Sequence, residues 1–94
     1  MTSPVVSLSD AAIKRDVVAR AVGDETILLD LETGTYFTLN PVGALVWKGL
    51  ENGSTREEIL ASVLDRFEVD PPTAAADIQE YLHDLLSQGL VVVK

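Results

Sequence analysis

The residues of this chain that could do chemistry are few, and their spacing favours holding a ligand over transforming one. His83 is the single imidazole, and no nucleophile pattern stands near it in the sequence. There is no cysteine and no glycine-rich phosphate loop, and the carboxylates do not follow a metal-binding loop pattern. Ser9 precedes Asp10, the reverse of the Asp-Ser-Leu order that carries a phosphopantetheine arm. The informative stretch is instead Gly34-Thr35-Tyr36-Phe37-Thr38-Leu39-Asn40-Pro41, which is followed by an apolar helical pattern through Trp47. Thr35, Tyr36, Phe37, Thr38 and Leu39 have the β-branched and aromatic content of a strand, Asn40 suits an N-cap, and Pro41 suits the first helical position. If that strand ends a sheet, its unpaired backbone groups can take an extended peptide as an added strand. Otherwise the segment only marks the strand-to-helix corner of a small fold.

A second wall for such a groove comes from the last helical segment. Ile78, Leu82, Leu85 and Leu86 fall on one side of it, Asp77, Glu80 and Asp84 on another, and Tyr81 at the border. Residues 73–88 hold those three acids and no Lys or Arg. The face is a solvated acidic surface or, with the strand opposite, the groove wall at Asp77, Ile78, Tyr81, Leu82 and Leu85.

With 94 residues, 15 acids against 7 Lys and Arg, and a formal charge of −8, the chain makes one small domain that repels phosphate backbones and anionic lipid. The N-terminus lacks the basic and apolar regions of a signal peptide, and no apolar run approaches a bilayer-spanning length. The expectation is a soluble cytoplasmic protein, not an enzyme, without cofactor or metal, and with neither nucleic acid nor membrane as partner.

Three strands and three helices must position these residues. Residues 1–15 read as a flexible arm with a short strand at 5–8, and 16–94 as the folded domain. Runs 16–22 and 25–31 flank Gly23-Asp24, a two-residue turn signal, and the second run meets strand 35–39 across Glu32-Thr33-Gly34. Setting Leu31 opposite Thr35 puts Leu29 by Phe37 and Ile27 by Leu39 on one face. The first helix runs from Pro41 to about Leu50, with Trp47 at the edge of its apolar stripe. The second opens on a capping box, Ser54 with Glu57 or Thr55 with Glu58, and the third is capped by Asp70. Gly89 ends the third helix before a strand-like tail, Leu90-Val91-Val92-Val93, which could pair with strand 35–39 and occupy its edge. The fold class is α+β: a three-stranded antiparallel meander, then a three-helix bundle, in a winged-helix-like order. A winged-helix module that regulates or binds nucleic acid is therefore an alternative, opposed by the absence of basic residues on the third helix.

The run Leu28-Leu29-Asp30-Leu31-Glu32-Thr33-Gly34-Thr35-Tyr36-Phe37-Thr38-Leu39-Asn40-Pro41, then Gly43-Ala44, Trp47, Leu50 and Gly53, resembles the PqqD-like family of peptide-recognition proteins. The resemblance continues through residues 59–67, Asp77, Leu82, Leu85 and Gly89-Leu90-Val91. It implies a standalone recognition element, an adaptor for ribosomally made, post-translationally modified peptides. Such a protein takes the leader region of a precursor peptide as an extra strand against the third helix and delivers it to a modifying or processing enzyme. In this sequence those positions are Thr35, Tyr36, Phe37, Thr38 and Leu39 for the strand and Asp77, Ile78, Tyr81, Leu82 and Leu85 for the wall. The aromatic hairpin and Gly43-Ala44 resemble the relatives serving lasso-peptide maturation, where the partner is a leader peptidase. The alternative is a PqqD-type chaperone of pyrroloquinoline quinone synthesis, whose partner is a radical S-adenosylmethionine enzyme.

Overall fold

The computed structural model describes residues 11–93. The meander comprises β2 (Val17–Val22), β3 (Glu25–Asp30) and β4 (Tyr36–Leu39), antiparallel in the order β2-β3-β4. It is preceded by a short β1 (Ala11–Ile13) and followed by α1 (Pro41–Asn52), α2 (Arg56–Arg66), α3 (Pro71–Ser87) and β5 (Val91–Val93). The α+β class and the element order agree with the sequence reading. The suggested strand at 5–8 lies outside the described residues.

Three expectations are corrected. Residues 11–13 are not part of an arm, because β1 pairs antiparallel with β5, Ala11 facing Val93 and Ile13 facing Val91. Ala11 and Val91 are buried in the common core, so burial as well as hydrogen bonding fixes this ribbon. The tail is thus a strand as expected, but its partner is β1 and not β4.

The second correction is the register of the β3–β4 hairpin, which is one residue away from the expected one. Leu28 faces Phe37, Ile27 faces Thr38 and Thr26 faces Leu39. A slip of one residue exchanges the faces of the whole strand, so Leu28 and Leu39 are fully buried while Leu31 is 57% exposed. Asp30 is the physical cause. Its side chain turns inward, where Oδ1 accepts hydrogen bonds from the backbone N–H of Glu32 at 2.9 Å and of Thr33 at 3.4 Å, and Oδ2 meets Lys14 Nζ at 2.7 Å. The carboxylate thereby closes a loop over residues 31–34, with Gly34 at φ 75° supplying the left-handed residue.

The hydrogen bond from Lys14, then those from the Glu32 and Thr33 amides and the Lys14 charge, outweigh burial and hold the Asp30 carboxyl below its ordinary value, and the same pair raises the Lys14 ammonium. A depressed carboxyl contributes stability that is present above the unfolded-state pKa and lost as pH falls through the lower native one. The expected result is that acidification below about pH 4 lowers the melting temperature of the native chain more steeply than that of an Asp30→Asn variant. Parallel slopes in thermal melts by circular dichroism would contradict it.

The helices begin where the sequence places their caps. Asn40 Oδ1 accepts from Gly43 N, Thr55 and Glu58 form a reciprocal capping box, and Asp70 accepts from Thr73 N. Their apolar stripes converge on Val46, Trp47, Ile59, Val63, Ala74, Ile78, Leu82 and Leu85, together with Leu28 and Leu39 from the sheet. Trp47 is buried within this core, not at its edge.

Candidate functional site: a free strand edge beside the third helix

Among the described residues β4 ends its sheet, and its chemistry follows from which way each peptide unit points. Asp30 N–H donates to the Thr35 carbonyl at 3.0 Å, so Asp30 with Thr35, Leu28 with Phe37 and Thr26 with Leu39 are the hydrogen-bonded pairs. Antiparallel alternation then directs the N–H and C=O of Tyr36 and Thr38 away from β3, to the open edge. Their side chains stand on the sheet face opposite the core: Tyr36 is 69% exposed and Thr38 is exposed. Phe37 is half-buried against the core, Leu39 is fully buried, and Thr35 is exposed in the loop.

The strand passes directly into α1, and α3 crosses there. A Cβ on Gly43 would lie 2.7 Å from Tyr81 Cε1 and 3.2 Å from Leu39 Cβ, so the bare glycine lets the Tyr81 ring settle between α1 and the end of β4. Tyr81 is half-buried. Burial first, then the charges of Asp77, Asp84 and Glu80, push its phenol above the ordinary value, so it is a neutral donor at physiological pH. Around it opens a cleft of about 270 Å³ lined by Asn40, Asp77, Glu80, Tyr81 and Asp84. This cleft meets β4 at Asn40, the residue after the strand.

The structure therefore brings Asp77 and Tyr81 to the end of the strand but places Ile78, Leu82 and Leu85 elsewhere. Those three are at most 1% exposed and pack in the core, so they support α3 from behind and present no side chain to a surface groove. Asn40 is the cleft residue that the sequence reading used only as a helix cap. Its place directly between strand and helix is the signal that could have added it. A larger cleft of about 630 Å³ lies between the β2–β3 hairpin and α1, and no residue of the candidate site lines it. Among the described residues no three His, Cys, Asp or Glu side chains gather as a metal would require, and no helix is long and apolar enough to cross a membrane.

Comparison with known proteins settles the family. The family model described as coenzyme PQQ synthesis protein D (PqqD) matches residues 25–91, from the start of β3 into β5. The chain belongs to the PqqD family. Among solved structures, this PqqD-family chain is similar to TbiB1 in complex with the TbiA(beta) leader peptide. The two are 39% identical, with 85% of this chain and 93% of that one covered and a TM-score of 0.76. It also shares its fold with lasso peptide synthetase B1 complexed with the leader peptide, at 22% identity, with 88% of this chain and 98% of that one covered and a TM-score of 0.79. Among curated proteins nothing matches. The PqqD-family match spans both β4 and α3, the two elements that frame the candidate site.

Proposed function

We propose that this chain captures the leader region of a ribosomally made precursor peptide as a strand on the open edge of β4, beside α3, and presents it to a processing enzyme in lasso-peptide maturation. The observation that carries the reading is the backbone of Tyr36 and Thr38 at that edge, unpaired among the described residues, in a chain 39% identical to a protein solved with a leader peptide. Main-chain hydrogen bonds would fix the leader's register. Its alternate side chains would then lie beside Phe37 and the Asn40, Asp77 and Tyr81 cleft on one face and beside Tyr36 and Thr38 on the other.

In the lasso setting the enzyme is a leader peptidase. A radical S-adenosylmethionine enzyme is the corresponding partner if the chain serves quinone synthesis as a PqqD-type chaperone, and the aromatic hairpin with Gly43-Ala44 favours the lasso setting. A nucleic-acid function is opposed by α3, whose residues Pro71–Ser87 include Asp77, Glu80 and Asp84 and no Lys or Arg. The role is that of an adaptor and not a catalyst.

The direct test is a fluorescence-polarisation titration against the labelled leader of the precursor peptide encoded beside this chain, with a scrambled leader as control. Saturable binding of the native leader alone is expected. Equal binding of both peptides, or none by folded protein, would sink the proposal.

A further inference from the structure

The face of the sheet turned away from the core is apolar up to the edge of β4 that stands open among the described residues. Leu28 and Leu39 are buried on the inner face, and strand alternation puts Val18, Leu29 and Tyr36, paired in one row across all three strands, on the outer one. Leu31 N–H donates to the Asp16 carbonyl at 2.9 Å, so Leu31 continues the β2–β3 ladder and stands on the outer face diagonal to Tyr36. The same ladder turns the N–H and C=O of Val18, Arg20 and Val22 to β3 and those of Val17, Ala19 and Ala21 to the far side of β2. Tyr36 is 69% exposed and Leu31 57%, with Leu29 half-buried beside them. Apolar residues exposed singly need no partner, but a contiguous row that ends at an open strand edge marks a binding surface.

We infer that Tyr36 is a specificity-determining residue for the leader and takes a large apolar side chain, aromatic or branched aliphatic, from the leader residue that pairs with it. The inference rests on the strand addition proposed above and names the side-chain chemistry that the addition selects. In either direction of addition, the leader residue beside Tyr36 stands on the same face as the ring, with the two Cβ atoms roughly 5 Å apart. It becomes the fourth member of the row formed by Val18, Leu29 and Tyr36.

The neighbours of the ring select that chemistry. Leu29 lies directly opposite Tyr36, Ile27 and Leu31 lie diagonal to it, and Thr38 follows it on the same face of β4. The charged residues of the face, Arg20 on β2 and Glu25 at the far end of β3, are neither opposite nor diagonal to Tyr36, and Glu32 in the loop stands 3.7 Å from Lys14. A charged leader side chain therefore gives up hydration against Leu29 and Leu31 without gaining a partner, whereas an apolar one removes its own surface and that of Tyr36 from water. The leader residue one place along is on the opposite face, beside Phe37 and the Tyr81 cleft, and does not touch the Tyr36 ring.

The test is a double-mutant cycle by fluorescence polarisation, in which an alanine scan of the labelled precursor leader is run against the native chain, Tyr36→Ala and Tyr36→Phe. One large apolar leader residue is expected to lose at least about tenfold in affinity on truncation against the native chain and at most about twofold against Tyr36→Ala. Tyr36→Phe, whose ring makes the same contact, is expected to restore the full loss. Val22→Thr, on the same face but two strands from the edge, is expected to leave every value unchanged. Tyr36→Val keeps strand propensity and carries the cycle if Tyr36→Ala does not fold. Truncation losses that are the same for native and Tyr36→Ala protein at every leader position would overturn the inference, as would coupling to a charged leader residue. Thr38→Pro separates this result from the reading beneath it. Weakened leader binding by Thr38→Pro without coupling at Tyr36 overturns the inference alone, whereas full affinity in Thr38→Pro, or a leader that does not bind the native chain, overturns both.

Discussion

Thr38→Pro is expected to weaken leader binding by at least about tenfold, while Ala19→Pro leaves it unchanged. The Thr38 N–H points to the open edge of β4, so the substitution takes no hydrogen bond from the β3–β4 hairpin, and the Thr38 side chain is exposed. What it removes is one donor to an incoming strand, a loss of about 1 kcal/mol, and it adds a ring where that strand must approach to hydrogen-bond distance. Together these exceed the 1.4 kcal/mol that corresponds to a tenfold change. Ala19 occupies the equivalent outward position on β2 and controls for the general effect of proline in a strand. Fluorescence polarisation with the same labelled leader measures both variants. Equal losses, or no loss at Thr38, would remove β4 from the account.

Leu82→Asp is expected to unfold the protein and not merely to block its site. Leu82 is 1% exposed, and it lies in the core with Ile78, Leu85, Val46 and Leu39. Replacing it deletes a buried isobutyl group and puts a carboxylate where no cation stands among the described ion pairs, which involve Lys14, Asp30 and Glu32 alone. Cavity and desolvation together cost upwards of about 4 kcal/mol, against a total stability of about 5–15 kcal/mol for domains of this kind. Small domains bury a smaller share of their surface on folding and are correspondingly marginal. Loss of the helical circular-dichroism signal at 25 °C is the expected reading. A folded Leu82→Asp protein that has lost only leader binding would mean that Leu82 faces a groove after all.

The contrast between these substitutions marks what could be read from the residues. The helix caps at Asn40 and Asp70 were legible, and Thr55 was one of two candidates beside Ser54, because each pairs a short polar side chain with a known offset to a backbone N–H. The meander was legible from its turn residues, Gly23 and Gly34, both at positive φ. Its register was not. Ile27, Leu28 and Leu29 are consecutive and apolar, so alternation alone fits either face, and the deciding residue is Asp30, a charged side chain expected outside but buried by Lys14 and the loop amides. Lys14 in turn belongs to the segment that read as an arm, whose ordering depends on a strand nearly eighty residues away.

The site shows the same division. Helical periodicity identified Ile78, Leu82 and Leu85 as one stripe with Tyr81 beside it, but periodicity does not say which stripe meets the core and which meets a ligand. Gly43 supplies the missing information, since only a residue without a Cβ admits the Tyr81 ring next to Leu39. That contact turns the acidic side of α3, with Asp77 and Asp84, toward the end of β4 while the leucines face inward.

Amide hydrogen exchange, resolved by residue with and without the precursor leader, tests the central claim most directly. The account predicts that saturating leader slows exchange at Tyr36 and Thr38 by at least about tenfold and leaves Val17, Ala19 and Ala21 unchanged. Leader binding that leaves Tyr36 and Thr38 exchanging at their free rates would contradict strand addition at β4.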